Sequence, residues 1–161
     1  RIYFSMKFLK SNGFKILITI ISILIVAILG SVFVNLGMDW FNSLTTPSQW
    51  ISNIVIPIVW TIIYLTFGIV LSIWITKGGL PKSFIGWLIA NGVLNVIWCL
   101  VFFTLGLTFI GNIVIVLNLI AGIVLFLQIC KYKPIYAAVT AIYPIWLSLA
   151  TTLNLALWIL N

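Results

Sequence analysis

The sequence predicts an all-α integral membrane protein: a bundle of five membrane-spanning helices, with the N-terminus in the cytoplasm and the C-terminus outside. Three observations predict it. The chain is 64% hydrophobic and 6% charged, with a mean hydropathy of +1.34, where ordinary globular chains have roughly 45–50% and ~25%. Four long stretches carry no charge at all: Ile16–Met38, Trp40–Thr76, Ser83–Cys130 and Pro134–Asn161. Every lysine and arginine falls in one of three places that a five-helix thread puts on the same face of the membrane.

A spanning helix takes ~20 apolar residues. Three of the uncharged stretches hold one span each, and Ser83–Cys130 holds two with a break near Thr104–Phe109. The spans fall near 15–36, 53–76, 82–104, 109–130 and 134–159, in a single membrane domain over 1–161. The runs do not alternate polar with apolar residues, as the strands of a transmembrane barrel would.

Span 1 follows Arg1, Lys7, Lys10 and Lys15. Its apolar run continues past Gly30 to Leu36, longer than the core of a cleaved signal sequence, so it is expected to be a retained helix. The one long connection, 37–52, holds Asp39, the only acidic residue. Lys77 and Lys82 bracket the tight turn from span 2 to span 3, where Gly78-Gly79 and Pro81 end one helix and start the next. Lys131 and Lys133 bracket the turn to span 5, which starts at Pro134. Positive charge collects on the cytoplasmic face. The formal charge of +7 is therefore topological and does not point to nucleic acid. The preference for Lys, Ile and Asn points to an AT-rich bacterial genome, hence a bacterial cell membrane.

Between the membrane faces the sequence has no Asp, Glu, His, Lys or Arg. Acid–base catalysis and ion-coupled pumping within the bilayer usually need one. Two separated cysteines, Cys99 and Cys130, and no histidine supply no metal site. The remaining chemistry is uncharged and aromatic. Asn91, Asn95 and Trp98 follow i, i+4, i+7 on span 3; Trp60 and Tyr64 are i, i+4 on span 2; Trp146, Ala150 and Asn154 are i, i+4, i+8 on span 5. Asn118 lies near the middle of span 4. Amides facing lipid would be unsatisfied, so these faces turn inward, either as interhelical glue or as polar points in a cavity. Trp74, Trp87, Trp40, Trp50 and Trp158 are placed as interfacial anchors. Trp60, Trp98 and Trp146 lie deeper, as walls of a broad apolar pocket. Gly86 and Ala90 on span 3 have the small-xxx-small spacing of a close helix contact, within the chain or in a homodimer.

These residues resemble the translocator protein family, also called tryptophan-rich sensory proteins. Trp40-Phe41…Leu44…Pro47-Ser48 is similar to its W-Y-x-x-L-x-K-P-S-W segment, and Trp60-x3-Tyr64-x3-Gly68 to its W-x3-Y-x3-G. Asn95-x2-Trp98-x3-Phe102-Phe103 resembles N-x-x-W-x3-F-F, and Trp146-x3-Ala150-Thr-Thr-Leu-Asn154 resembles W-x3-A-T-x-L-N. The sequence departs at Thr46, where the family has lysine, at Gln49, which delays Trp50 by one residue, and at Ile51-Ser52 in place of Pro-Pro. Pro144 lies two residues closer to Trp146 than in the family pattern.

The resemblance implies a five-helix bundle, often a homodimer, with a pocket opening toward loop 37–52. It implies a translocator or receptor for a porphyrin, haem or another hydrophobic ligand such as a sterol, with membrane lipid as a further partner and no cofactor required. By position, Trp60, Tyr64, Asn95, Trp98, Trp146, Ala150 and Asn154 would bind the ligand, and Trp40, Pro47, Ser48 and Trp50 would form a lid. No catalytic residue is assigned. The alternatives are a structural membrane subunit without ligand, which predicts a bundle centre filled by side chains, and a light-dependent porphyrin-degrading enzyme.

Overall fold

The computed structural model describes residues 11–48 and 51–161. Among the described residues there is no strand. Helix α1 is Asn12–Leu36, capped by the Ser11 hydroxyl, which accepts the Phe14 N–H at 3.2 Å. A short helix α2, Met38–Ser43, opens the long connection. Helix α3 is Val55–Lys77 and α4 is Lys82–Cys99, which runs on into a π-helical turn, Leu100–Thr104. Helix α5 is Thr108–Tyr132; α6, Pro134–Thr140, and α7, Ile142–Leu160, together make the last span. Among the described residues five spans are thus long and apolar enough to cross a bilayer. Of the basic residues, Arg1, Lys7 and Lys10 lie outside the described residues.

The last span is interrupted at Ala141. Pro144 has no N–H to give the Thr140 carbonyl, and its ring crowds that carbonyl four residues back. Helical bonding resumes with Ile145 N–H to Ala141 O at 3.3 Å.

The spans close into a ring. Helix α1 packs on α3 and α4; α3 packs on α6 and α7; α5 packs on α7 and on α4. Helices α3 and α4 follow one another in sequence but are not paired along their lengths, and α1 lies across the gap between them. Lipid is as apolar as leucine, so close fit rather than apolar burial holds such helices together.

That fit is tight at the Asp39 end. The π turn re-aims Phe102 and Phe103 so that both are buried, edge to face at 5.0 Å. The Thr104 hydroxyl donates to the Phe33 carbonyl at 2.7 Å. A methyl group at Gly37 would strike the Phe103 backbone, and one at Gly30 would meet Cys99 Sγ at 3.4 Å. Toward the basic end, α1 has no such contacts with α4 beyond Gly92, whose added methyl would meet Val26 Cγ2 at 3.2 Å.

Two expectations about surface residues change. Trp74 is not an interfacial anchor: it is 4% exposed and stacks on Tyr132 at 4.2 Å, while Trp87 is 40% exposed. Tyr132 and Phe84 close over Trp74 because both turns at the basic end are short. The small residue that serves packing within the chain is Gly92 rather than Gly86, where an added methyl would meet nothing within 4 Å.

Candidate ligand site

The gap between α3 and α4 encloses a cavity of about 550 Å³, with α1 as its outer wall. Its lining on α3 reaches from Trp60 to Ile75, about 22 Å of helix rise. On α1 the lining covers Ile18 to Val26, the middle of that helix displaced toward the basic end. Buried Ile63, Phe67 and Leu71 form the floor. Ile25, Ile89 and Val93 line the rim and are themselves more than half exposed, so the cavity opens sideways between α1 and α4.

The sequence reading put the mouth toward loop 37–52. The cavity instead lies toward the basic end, because the glycine contacts and the Thr104–Phe33 bond shut the other half of α1 against the π turn. The residues expected as a lid are engaged elsewhere. Trp40 lies against Phe102 at 5.7 Å and beneath Gly106, whose added methyl would meet its indole at 3.1 Å. Thr45 N–H donates to Asn161 Oδ1 at 2.8 Å, and Asn161 Nδ2 donates back to Thr45 O at 3.1 Å, tying the loop to the end of α7. Pro47 is half-buried, Ser48 is exposed, and neither lines the cavity. Trp50 lies outside the described residues.

One wall of the cavity is a chain of neutral polar groups. Asn95 Nδ2 donates to the Tyr143 hydroxyl at 2.8 Å; that hydroxyl donates to Asn91 Oδ1 at 2.8 Å. Asn91 Nδ2 donates to Asn118 Oδ1 at 2.7 Å and to the Asn118 carbonyl at 3.4 Å. The four residues come from α4, α5 and α7, and all are buried. Gly122 allows the approach of α7: an added methyl there would meet Leu147 Cδ1 at 2.9 Å and the Tyr143 ring at 3.2 Å. On the facing wall, Trp60 and Tyr64 stack at 5.6 Å, and Trp60 meets Tyr143 edge-on at 6.2 Å.

Of the residues predicted to bind, Trp60, Tyr64 and Asn95 line this cavity and Trp98, Trp146, Ala150 and Asn154 do not. Trp98 is buried against Phe102 and Phe103. Trp146 is buried in the core that includes Phe67 and Leu125. The indole nitrogens of Trp98 and Trp146 and the Asn154 Nδ2 are buried without a hydrogen-bond partner among the described residues. Sequence reasoning missed two parts of the wall. Tyr143 lies one turn before Trp146, and that i, i+3 spacing was the available signal. On α1, the spacing of Thr19, Ser22 and Val26 marks the inward face within an otherwise uniformly apolar helix.

The model of the TspO/MBR family matches residues 18–159, from within α1 to the end of α7. The chain belongs to the TspO/MBR family. Curated proteins gave no match. A TspO/MBR chain with five apolar spans is an integral membrane protein, and its aromatic, amide-lined bundle fits a membrane ligand-binding protein.

Proposed function

We propose that this TspO/MBR protein is a receptor or carrier for a tetrapyrrole or a similarly large hydrophobic ligand such as a sterol, held between α1, α3 and α4. The observation that carries this reading is the cavity of about 550 Å³ with the Trp60–Tyr64 pair on one wall and the Asn91–Tyr143–Asn95 chain on the other. Pockets of about 300–1,000 Å³ with apolar walls and a few fixed polar groups are the usual form of such sites. An open cavity disfavours the reading as a structural subunit, which predicts a filled centre. Trp60 offers a flat face to the ring, and Trp146 and Asn154 back the site without lining it. In this reading the basic end faces the cytoplasm of a bacterial cell, and the open Gly86–Ala90 face of α4 is available to a second copy.

Protoporphyrin titrated into the protein in nanodiscs tests the proposal. Tryptophan fluorescence should quench saturably, and Trp60→Ala should weaken binding at least about tenfold, within the range for loss of an aromatic anchor. Trp146→Ala should weaken it far less. Unchanged affinity in the Trp60→Ala, Trp146→Ala double variant would reject the site.

A further inference from the structure

The polar chain on the cavity wall has a direction, and the direction is set at one end. The Asn118 backbone carbonyl, 3.4 Å from Asn91 Nδ2, can only accept a hydrogen bond, so the Asn91 amide turns its Nδ2 toward α5, where it meets Asn118 Oδ1 at 2.7 Å and leaves Asn118 Nδ2 buried without a partner among the described residues. Asn91 Oδ1 is thereby turned toward Tyr143, whose hydroxyl must donate to it. Having spent its proton there, the Tyr143 oxygen accepts from Asn95 Nδ2. Asn95 is left with Oδ1, which takes no hydrogen bond from the described residues, at a position that lines the cavity.

We infer that Asn95 presents a fixed acceptor to the ligand, so that the part of a membrane-dissolved ligand held against it is an uncharged O–H or N–H donor. The inference rests on the proposed ligand site and narrows its ligand class. Three further observations support it. Among the described residues no Asp, Glu, Lys, Arg or His lines the cavity to meet a charged group. The Thr19 and Ser22 hydroxyls donate to the carbonyls of Lys15 and Ile18 in their own helix, at 2.9 Å each. The exposed rim of Ile25, Ile89 and Val93 would face lipid, so a ligand dissolved in the bilayer reaches the cavity without crossing water. A carbonyl placed against Asn95 Oδ1 would set acceptor against acceptor with no proton between them, and sites built to bond a donor reject analogues that lack it. Tyr64 suits either polarity and Trp60 can donate to an acceptor, so the selection is read at Asn95 by variants.

The test compares two sterols that share a skeleton, cholestanol with its hydroxyl and cholestanone with its ketone, with protoporphyrin as a third probe of the same protein. In the wild type the alcohol should bind about tenfold more tightly, of the order expected for one satisfied against one orphaned buried group. Asn95→Leu should bring the alcohol down to the level of the ketone and leave the ketone unchanged. Tyr143→Phe keeps the ring and frees the Asn95 amide to turn over, so the ketone should gain affinity while the alcohol loses it. Equal affinities, or a tighter ketone in the wild type, would overturn the inference. So would failure of both sterols while protoporphyrin binds, which leaves the proposed site standing. Failure of all three probes rejects the site and the inference together.

Discussion

The Thr104 hydroxyl lies 2.7 Å from the Phe33 carbonyl and donates to it, so the π turn at the end of α4 is bonded to the backbone of α1. An α-helix continued through Leu100–Thr104 would aim Thr104 elsewhere; the wider turn, closed by Leu105 N–H to Leu100 O at 3.0 Å, turns it toward α1. The π turn is therefore what shuts one half of the bundle and leaves the cavity in the other.

Thr104→Val removes that bond and keeps the shape. The expected loss is about 0.6–2 kcal/mol, the range for interhelical hydrogen bonds in membranes. Thermal unfolding in detergent measures it. Gly37→Ala should cost more, because the obstacle is the Phe103 backbone and not the end of a flexible side chain. Amide hydrogen exchange should then rise across 30–36 in α1 while the middle of α5 keeps its protection.

Gly106→Ala tests how the loop is anchored. Gly106 has φ +64°, where a side chain is strained, and its added methyl would press on the Trp40 indole at 3.1 Å. Strain in that backbone region costs about 1–3 kcal/mol. Part of the loss comes from Trp40, so Gly106→Ala should cost measurably less in a Trp40→Ala background. Equal costs in the two backgrounds would show that the indole contact carries nothing.

Most of the fold was legible because each feature that fixes it is local. Charge placement fixed the number of spans, prolines and glycines fixed the turns, and amide spacing fixed the inward face of α4. The ring order was not legible, since it depends on which helices approach closely, and Gly37, Gly92 and Gly122 look like any other glycine in apolar sequence. The site was legible in part. Trp60, Tyr64 and Asn95 are marked by helical spacing on single helices. Tyr143 joins the wall only because Gly122 on a different helix admits it. Trp74 was misplaced because a tryptophan near a helix end reads as an anchor until Tyr132 is known to stack on it.

The Trp74 and Trp87 positions make a paired prediction. Both lie near the basic end, yet Trp74 packs between Phe84 and Tyr132 while Trp87 is 40% exposed. Trp74→Ala should lower stability by about 3–5 kcal/mol, as for other large-to-small changes at buried sites. Trp87→Ala should stay within about 0.5 kcal/mol, as surface changes usually do. Chemical denaturation in mixed micelles reads both. Equal losses would mean that both tryptophans act as interfacial anchors.

Pro144→Ala separates stability from binding. The substitution restores an N–H opposite the Thr140 carbonyl and removes the ring that crowds it, so α6 and α7 can join into one helix. A proline in a helix interior costs about 3 kcal/mol, but here the break at Ala141 already absorbs most of that. The expected gain in stability is therefore only about 1 kcal/mol. Joining the helices also changes the twist between Ala137, which packs at the basic end, and Tyr143, which must meet both Asn91 and Asn95 at 2.8 Å. Protoporphyrin affinity should fall as those bonds lengthen, even though the melting temperature rises. A variant that gains stability and keeps full affinity would show that the interruption at Ala141 plays no part in positioning Tyr143.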